Sequence, residues 1–404
     1  MPAKASSPNL HDAQVKTVFS QPSWILESDE IELAVTQLGA HIAPVTFCRH
    51  DRKPVQPYYV NPWHDENLGN LPAPVMVPLR GDFFCLPFGG NGEAFQGESQ
   101  PPHGEVAGSL WNLVGQAKTG TTTTLEISIQ PSIRPGKITK RISLIDGQNI
   151  LYTQEILTGF TGAMPLGHHA ILKMPATEGA LRVATSPFAF GMTCPVVFSD
   201  PRNREYQSLA IGEKFTDLKH VPLLWREPAE ADLTAFPARR GFADLISVFS
   251  QPLHDQPAWT AAVNREEGYL WFSLKDPAVL PSTVFWIENG GRHGVPWNGR
   301  NSCLGLEDTC SYFAQGLKDS CEPNLLNQAG VRTAVNLSPD KPTFINYIQG
   351  VARIADGFDT VASARFKPGR VIFVSTDGKQ AIAEVNWEFI RRGQSNRDHP
   401  TAPQ

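Results

Sequence analysis

The 404-residue sequence predicts an all-β protein, a large antiparallel β-sandwich, and three observations carry that expectation. Runs such as TTTTLEISIQ (121–130) and KITKRISLI (137–145) alternate apolar and polar residues with the period of two of a half-buried strand. Glycine (33) and proline (34) are spread evenly, so turns punctuate the whole length. Helical periodicity is scarce, and strands at short spacing between Gly/Pro turns are the mark of a sandwich.

The elements follow in order. IELAVTQLGAHIAPVTF (31–47) is a strand, a glycine turn and a second strand. After 121–130 and 137–145, ILYTQEIL (150–157) continues the alternation. REPAEADLTAF (226–236) is expected to be a short helical piece, held short by its prolines. Further strands are expected over 268–274, 282–288, 344–351, 370–376 and 381–390. No fixed-period repeat points to a propeller or solenoid, and no low-complexity linker divides the chain. One domain is expected over 17–392, with polar tails at 1–16 and 393–404.

Composition narrows the function classes. Hydrophobic residues at 41% and charged residues at 19% describe a folded chain. A net charge of −5 without a charged block argues against nucleic acid or an anionic membrane as the main partner. No apolar run reaches membrane-spanning length, and the N-terminus lacks the apolar stretch of a secretory signal. Six scattered cysteines with no CxxC pair are expected to be reduced thiols, which goes with a cytoplasmic location. HxH and HExxH spacings are missing, so no metal is expected. GGNG (89–92) lacks the GK[ST] ending of a phosphate loop, and no GxSxG elbow supports a serine nucleophile.

Four stretches carry groups capable of chemistry. In VPLRGDFFCLPFGGNG (77–92), Arg80 beside a glycine turn has a rigid fork suited to ligand oxygens, or is a surface arginine at a strand start. In PPHGEVAGSLWNL (101–113), His103 on a turn can exchange a proton with a hydroxyl near neutral pH, or cap a backbone group. In MPLGHHAILKMP (164–175), His168 and His169 face opposite sides of a strand, so one can enter a cleft while the other faces core or solvent. In CLGLEDTCSYF (303–313), Glu307 shares a face with Gly305 and Thr309, while Asp308 falls on the face of Leu304 and Leu306. The loop ENGGRHGVPWNGRN (288–301) adds Arg292, His293, Trp297 and Arg300, and an indole beside polar forks suits a sugar ring.

The succession LRGDFFCLPFGG, PPHGEV, LGHHAIL, LGLEDTC resembles the aldose 1-epimerase and hexose-phosphate mutarotase superfamily, the galactose-mutarotase-like fold, over roughly residues 24–350. The resemblance implies a supersandwich of two curved sheets with an open groove on one. It implies Glu307 as general base and His169 as general acid, with His168 as its rival, and Arg80 and His103 on the sugar. His168, Trp297 and Arg292 complete the expected substrate-binding set. The reaction implied is interconversion of α and β anomers of a free sugar or sugar phosphate by ring opening, with no cofactor. Asp308 stands where the family commonly has proline. Two other readings stay open: a non-catalytic carbohydrate-binding protein on the same scaffold, and a glycoside hydrolase or lyase, which needs two flanking carboxylates. Oligomeric state is left open.

Overall fold

Alternation along the chain resolves into two large antiparallel sheets packed face to face. The computed structural model describes residues 12–251, 253 and 256–393. One sheet has nine strands, in the order Ala235–Phe236, Leu181–Thr185, Ala258–Asn264, Tyr269–Lys275, Thr343–Arg353, Ile150–Thr158, Lys137–Ile145, Thr122–Ile129, Asn112–Thr119. The other runs Lys214–Phe215, Phe188–Thr193, Phe242–Ser250, Ser282–Asn289, Ser302–Cys310, Leu166–His168, Phe84–Cys85, and Ile171–Lys173 also pairs with Ser302–Cys310. A four-stranded N-terminal sheet spans Val15–Thr46.

The main core lies between the two large sheets. Leu166, Leu172, Phe285, Leu304 and Leu306 from one meet Leu125, Ile142, Leu151, Trp271 and Ile345 from the other. Each such side chain contributes about 1.5–3 kcal/mol by leaving water. The outer face of the nine-stranded sheet is covered as well. A C-terminal meander (Val361–Lys367, Arg370–Ser375, Gln380–Glu384) packs Val371, Phe373 and Ala383 on Trp259, Leu270 and Phe272. This second cover explains why Tyr269–Lys275 is buried at every position.

Three expected elements differ. Residues 226–236 form two short strands, Glu230–Ala231 and Ala235–Phe236, in place of a helix. Between them Asp232 accepts from the backbone N–H and hydroxyl of Thr234, an Asx turn that competes with helix. The strand expected over 381–390 ends at Glu384, and Trp387–Arg391 is a 3-10 turn. The expected tail boundary at 17 falls inside strand Val15–Val18, whose exposed edge residues read as polar tail. Residues 1–11 and 394–404 of the expected tails lie outside the described residues.

Candidate active site

The outer face of the eight-stranded sheet is built by register. His168 stands opposite Asp308 and Gly167 opposite Thr309, so His169 and Glu307 emerge together on the face away from the inter-sheet core. Two glycines make room there. A Cβ on Gly305 would overlap the Glu307 carboxylate and crowd Trp286, and one on Gly167 would overlap Thr309. The Gly-x-Glu spacing is thus a steric requirement: the side-chain gap at 305 is where the carboxyl of 307 lies.

Glu307 Oε1 is 3.2 Å from His169 Nε2, and the two residues are only 1% and 4% exposed. The approach is at ion-pair distance but off the hydrogen-bond direction. Glu307 Oε1, His169 Nδ1 and the neighbouring Trp286 Nε1 are all buried without a hydrogen-bond partner. Orphaned buried polar atoms cost on the order of 1–3 kcal/mol each. Burial pushes the Glu307 carboxyl well above the usual carboxylate range. Burial, with His103 and His41 adding repulsion, pushes His169 well below the usual imidazole value.

Aromatic rings wall the pair. Phe83 stacks on His169 at 4.6 Å between centroids and on His41 at 4.0 Å. His103 meets His169 edge-on at 4.7 Å, and its Nδ1 is 3.5 Å from Cys85 Sγ. Its backbone is held at φ 60°, a left-handed conformation that a non-glycine residue adopts at a cost. Burial lowers the pKa of His103 to about 4 and that of His41 to about 3. On the other side Trp286 meets His169 at 5.7 Å and Trp297 at 5.9 Å, and Trp297 meets Trp63 at 5.0 Å. The guanidinium of Arg292 lies over Phe198, Trp297 and Trp286 and 3.5 Å from buried Glu288, whose pKa burial raises to about 7.

The expected residues therefore divide. Glu307, His169 and His103 come together, with Trp297 and Arg292 one layer out beyond Trp286. Arg80 and His168 do not join them, and both expectations of sugar contact are corrected by where the side chains go. Arg80 is fully buried, and its fork is taken up by the carbonyls of Pro78, Val18 and Phe19. His168 points into the inter-sheet core, its Nδ1 2.9 Å from Asp82 and its Nε2 3.0 Å from Glu155. Burial lowers its pKa, but Glu155 and Asp82 outweigh that and raise it to about 9. His293 and Arg300 lie at the rim, where Arg300 pairs with Glu66 at 2.8 Å.

Sequence reasoning missed His41, Phe83, Cys85, Trp286 and Glu288. A signal existed for Phe83 and Cys85, since Gly167 pairs with Cys85 and alternation puts both on the His169 face. His41, just before strand Ile42–Thr46, is remote in sequence and only the fold brings it near, while Glu288 lies on Ser282–Asn289, the strand paired directly with Ser302–Cys310. Among the described residues no group of three or more His, Cys, Asp or Glu side chains is arranged to hold a metal ion.

No protein-family model and no curated protein matches the chain. Solved structures do. A galactose mutarotase-like protein from Clostridium acetobutylicum superposes with a TM-score of 0.55 at 12% identity, covering 84% of this chain and 98% of its own. An Escherichia coli K12 protein provisionally designated an aldose 1-epimerase gives 0.54 at 14%, covering 82% and 99%. A galactose mutarotase related enzyme from Lactobacillus acidophilus gives 0.51 at 12%, covering 81% and 97%. The chain has the galactose-mutarotase-like sandwich fold, as its motif order implied.

Proposed function

We propose that the chain is an aldose 1-epimerase-type mutarotase acting on an unphosphorylated sugar, with Glu307 and His169 as its acid–base pair. One observation carries this: a carboxyl and an imidazole meet on one sheet face, each with a buried polar atom that lacks a hydrogen-bond partner. Such atoms are the complement of a sugar hydroxyl and ring oxygen.

Anomer exchange needs one proton removed from the anomeric hydroxyl and one delivered to the ring oxygen. The C1–O5 bond then breaks to an aldehyde, C1–C2 rotates, and reclosure returns both protons. The pKa directions favour a protonated Glu307 and a neutral His169 in the dry site. Glu307 then donates to the ring oxygen and His169 accepts the hydroxyl proton. Reclosure runs the pair in reverse, so each residue serves as acid in one direction and base in the other. This inverts the starting roles that the family resemblance implies. Trp286 and Phe83 exclude water, and Trp297 offers a stacking face.

The cations near the site favour a neutral substrate. Arg80 is engaged by backbone carbonyls and Arg300 by Glu66, while Arg292 lies at ion-pair distance from Glu288 and Glu205 with its Nε lacking a hydrogen-bond partner. A phosphate would have to break one of these pairings before it met a free positive charge.

A second reading, a sugar-binding protein without turnover on the same scaffold, is favoured by the 3.2 Å contact itself. The pair is closed on itself, and a sugar has to compete with that contact to reach either group. Saturation-transfer NMR on a panel of aldoses and aldose phosphates separates the two readings. Exchange above the buffer rate that vanishes in Glu307→Gln supports the mutarotase. Binding without exchange supports the second reading.

A further inference from the structure

The two strands that carry the acid–base pair each carry a second ionisable residue next to it, and both of these face the opposite way. His168 precedes His169, and Asp308 follows Glu307. They stand directly opposite one another in the sheet, on its inner side.

Both are fully buried and heavily coordinated. Asp308 takes Lys275 Nζ at 2.7 Å, Thr283 Oγ1 at 2.7 Å, Ser273 Oγ at 2.8 Å and Tyr347 Oη at 2.9 Å. Lys275 also donates to the Ser282 carbonyl and the Thr283 hydroxyl. His168 lies between Asp82 and Glu155, with Lys140 3.4 Å from Glu155. The Tyr347 ring stacks on His168 at 4.2 Å while its hydroxyl reaches Asp308, so one residue braces both. Ser273, Lys275, Tyr347, Glu155 and Lys140 all come from the nine-stranded sheet. The network therefore ties that sheet to the back of the two catalytic strands. Three carboxylates (Asp82, Glu155, Asp308) face two lysines and the imidazolium of His168, so the set is charge-balanced.

Buried ion networks are a poor route to stability, because well-packed apolar residues do as well without the desolvation cost. Both nitrogens of His168 and both oxygens of Asp308 are hydrogen-bonded, while Asp82 Oδ1, Glu155 Oε1 and Lys140 Nζ at the edge of the network are not, and a polar centre satisfied in this way supplies a unique geometry. Its place directly behind Glu307 and His169 gives that geometry a use. We infer that Asp308, His168 and Tyr347 are positioning residues that act through the two strands to hold the Glu307 carboxyl against the His169 ring. The inference rests on the reading of Glu307 and His169 as the reacting pair. It also accounts for an aspartate where the sequence resemblance leads one to expect proline.

The test compares Tyr347→Phe and Ser273→Ala, which each remove one donor to Asp308, with Val183→Ala. Val183 lies in the same core on the Leu181–Thr185 strand and touches none of the network residues by hydrogen bond. Full-length protein is assayed for anomer exchange over a range of sugar concentrations and for thermal unfolding. The expected result is a fall in kcat of about tenfold in the two network variants, with KM changed by less than about twofold. Val183→Ala should lose comparable melting temperature and keep kcat. A kcat that merely follows melting temperature across all three variants overturns the inference, as does unchanged kcat in both network variants. If wild-type protein exchanges no sugar, the reading of the site fails on its own account. The positioning is then decided by the ring 15N shifts of His169, which move in Tyr347→Phe if the brace acts on the pair and stay in place if it does not.

Discussion

The carboxyl of Glu307 occupies the space that a side chain at Gly305 would fill, two residues back on the same face of the same strand. The relationship makes a prediction that needs no ligand. In Gly305→Ala the new methyl overlaps Glu307 Oε1 and lies 3.0 Å from Trp286 Cβ, so the carboxyl must swing out or the strand must shift. Overpacking of this kind costs about 1–3 kcal/mol. Urea unfolding should show that loss, and exchange should fall by about tenfold or more because the pair is displaced. A variant as stable and as active as wild type would show that the gap at 305 is not what seats the carboxyl.

Glu307→Gln separates chemistry from stability. The amide is close in shape to a protonated carboxyl, which is the form burial favours. Exchange should drop by about 10²–10⁴. The stability difference should depend on pH with a definite sign. A carboxyl whose folded pKa lies above its unfolded value holds an extra proton in the native state, so wild type loses stability as pH rises from the unfolded value toward the folded one. Glutamine has no such loss, so the variant should gain on wild type between pH 5 and pH 8. Denaturant midpoints at the two pH values check this, and a variant that falls behind at the higher pH would contradict a protonated Glu307.

How much of this was legible beforehand differs by residue. The alternation argument placed Glu307 and Asp308 on opposite faces, and His168 and His169 likewise, because strand geometry alone decides that. The same argument could not say which of the two faces held the site, and the motif order supplied the choice. Asp308 had no explanation in sequence because its partners, Lys275, Ser273 and Tyr347, lie on strands of the other sheet. Arg80 was misread for the same reason: its acceptors are carbonyls of residues 18, 19 and 78, and backbone acceptors leave no trace in sequence. The closure of the pair to direct contact follows from the register between Leu166–His168 and Ser302–Cys310, which no local pattern encodes.

The histidines should titrate far apart. His168 should stay charged until about pH 9, and His103 and His41 should stay neutral down to about 4 and about 3. The signs for stability follow. His41, His103 and His169 bind protons more weakly folded than unfolded, so they lower stability as pH falls below about 6.5, where the unfolded chain begins to take up protons. His168 does the opposite, contributing stability below about 6.5 that is lost as pH rises through its folded value. Long-range 1H–15N spectra of the imidazoles across pH 4–10 read each ring directly. A His103 that protonates near 6, or a His168 that is neutral at 7, would refute the burial argument for that ring.

Glu307 and His169 are nearly sealed, and the layer beyond Trp286 belongs to two segments that hold on to each other. Trp63, from the irregular stretch between Asn61 and Leu79, meets Trp297 edge-on, and Arg300 grips both oxygens of Glu66. The ion pair is at the surface, so it adds little to overall stability. Its effect should be local, on how often the two segments part. Glu66→Ala should leave the unfolding midpoint unchanged while making Trp63 and Trp297 easier for acrylamide to quench. If sugar enters by this route, kcat/KM should rise in that variant, while the chemical step measured at saturating sugar stays the same. Quenching identical to wild type would show that the ion pair does not latch the cover. Easier quenching with unchanged kcat/KM would show that sugar does not enter past these two segments.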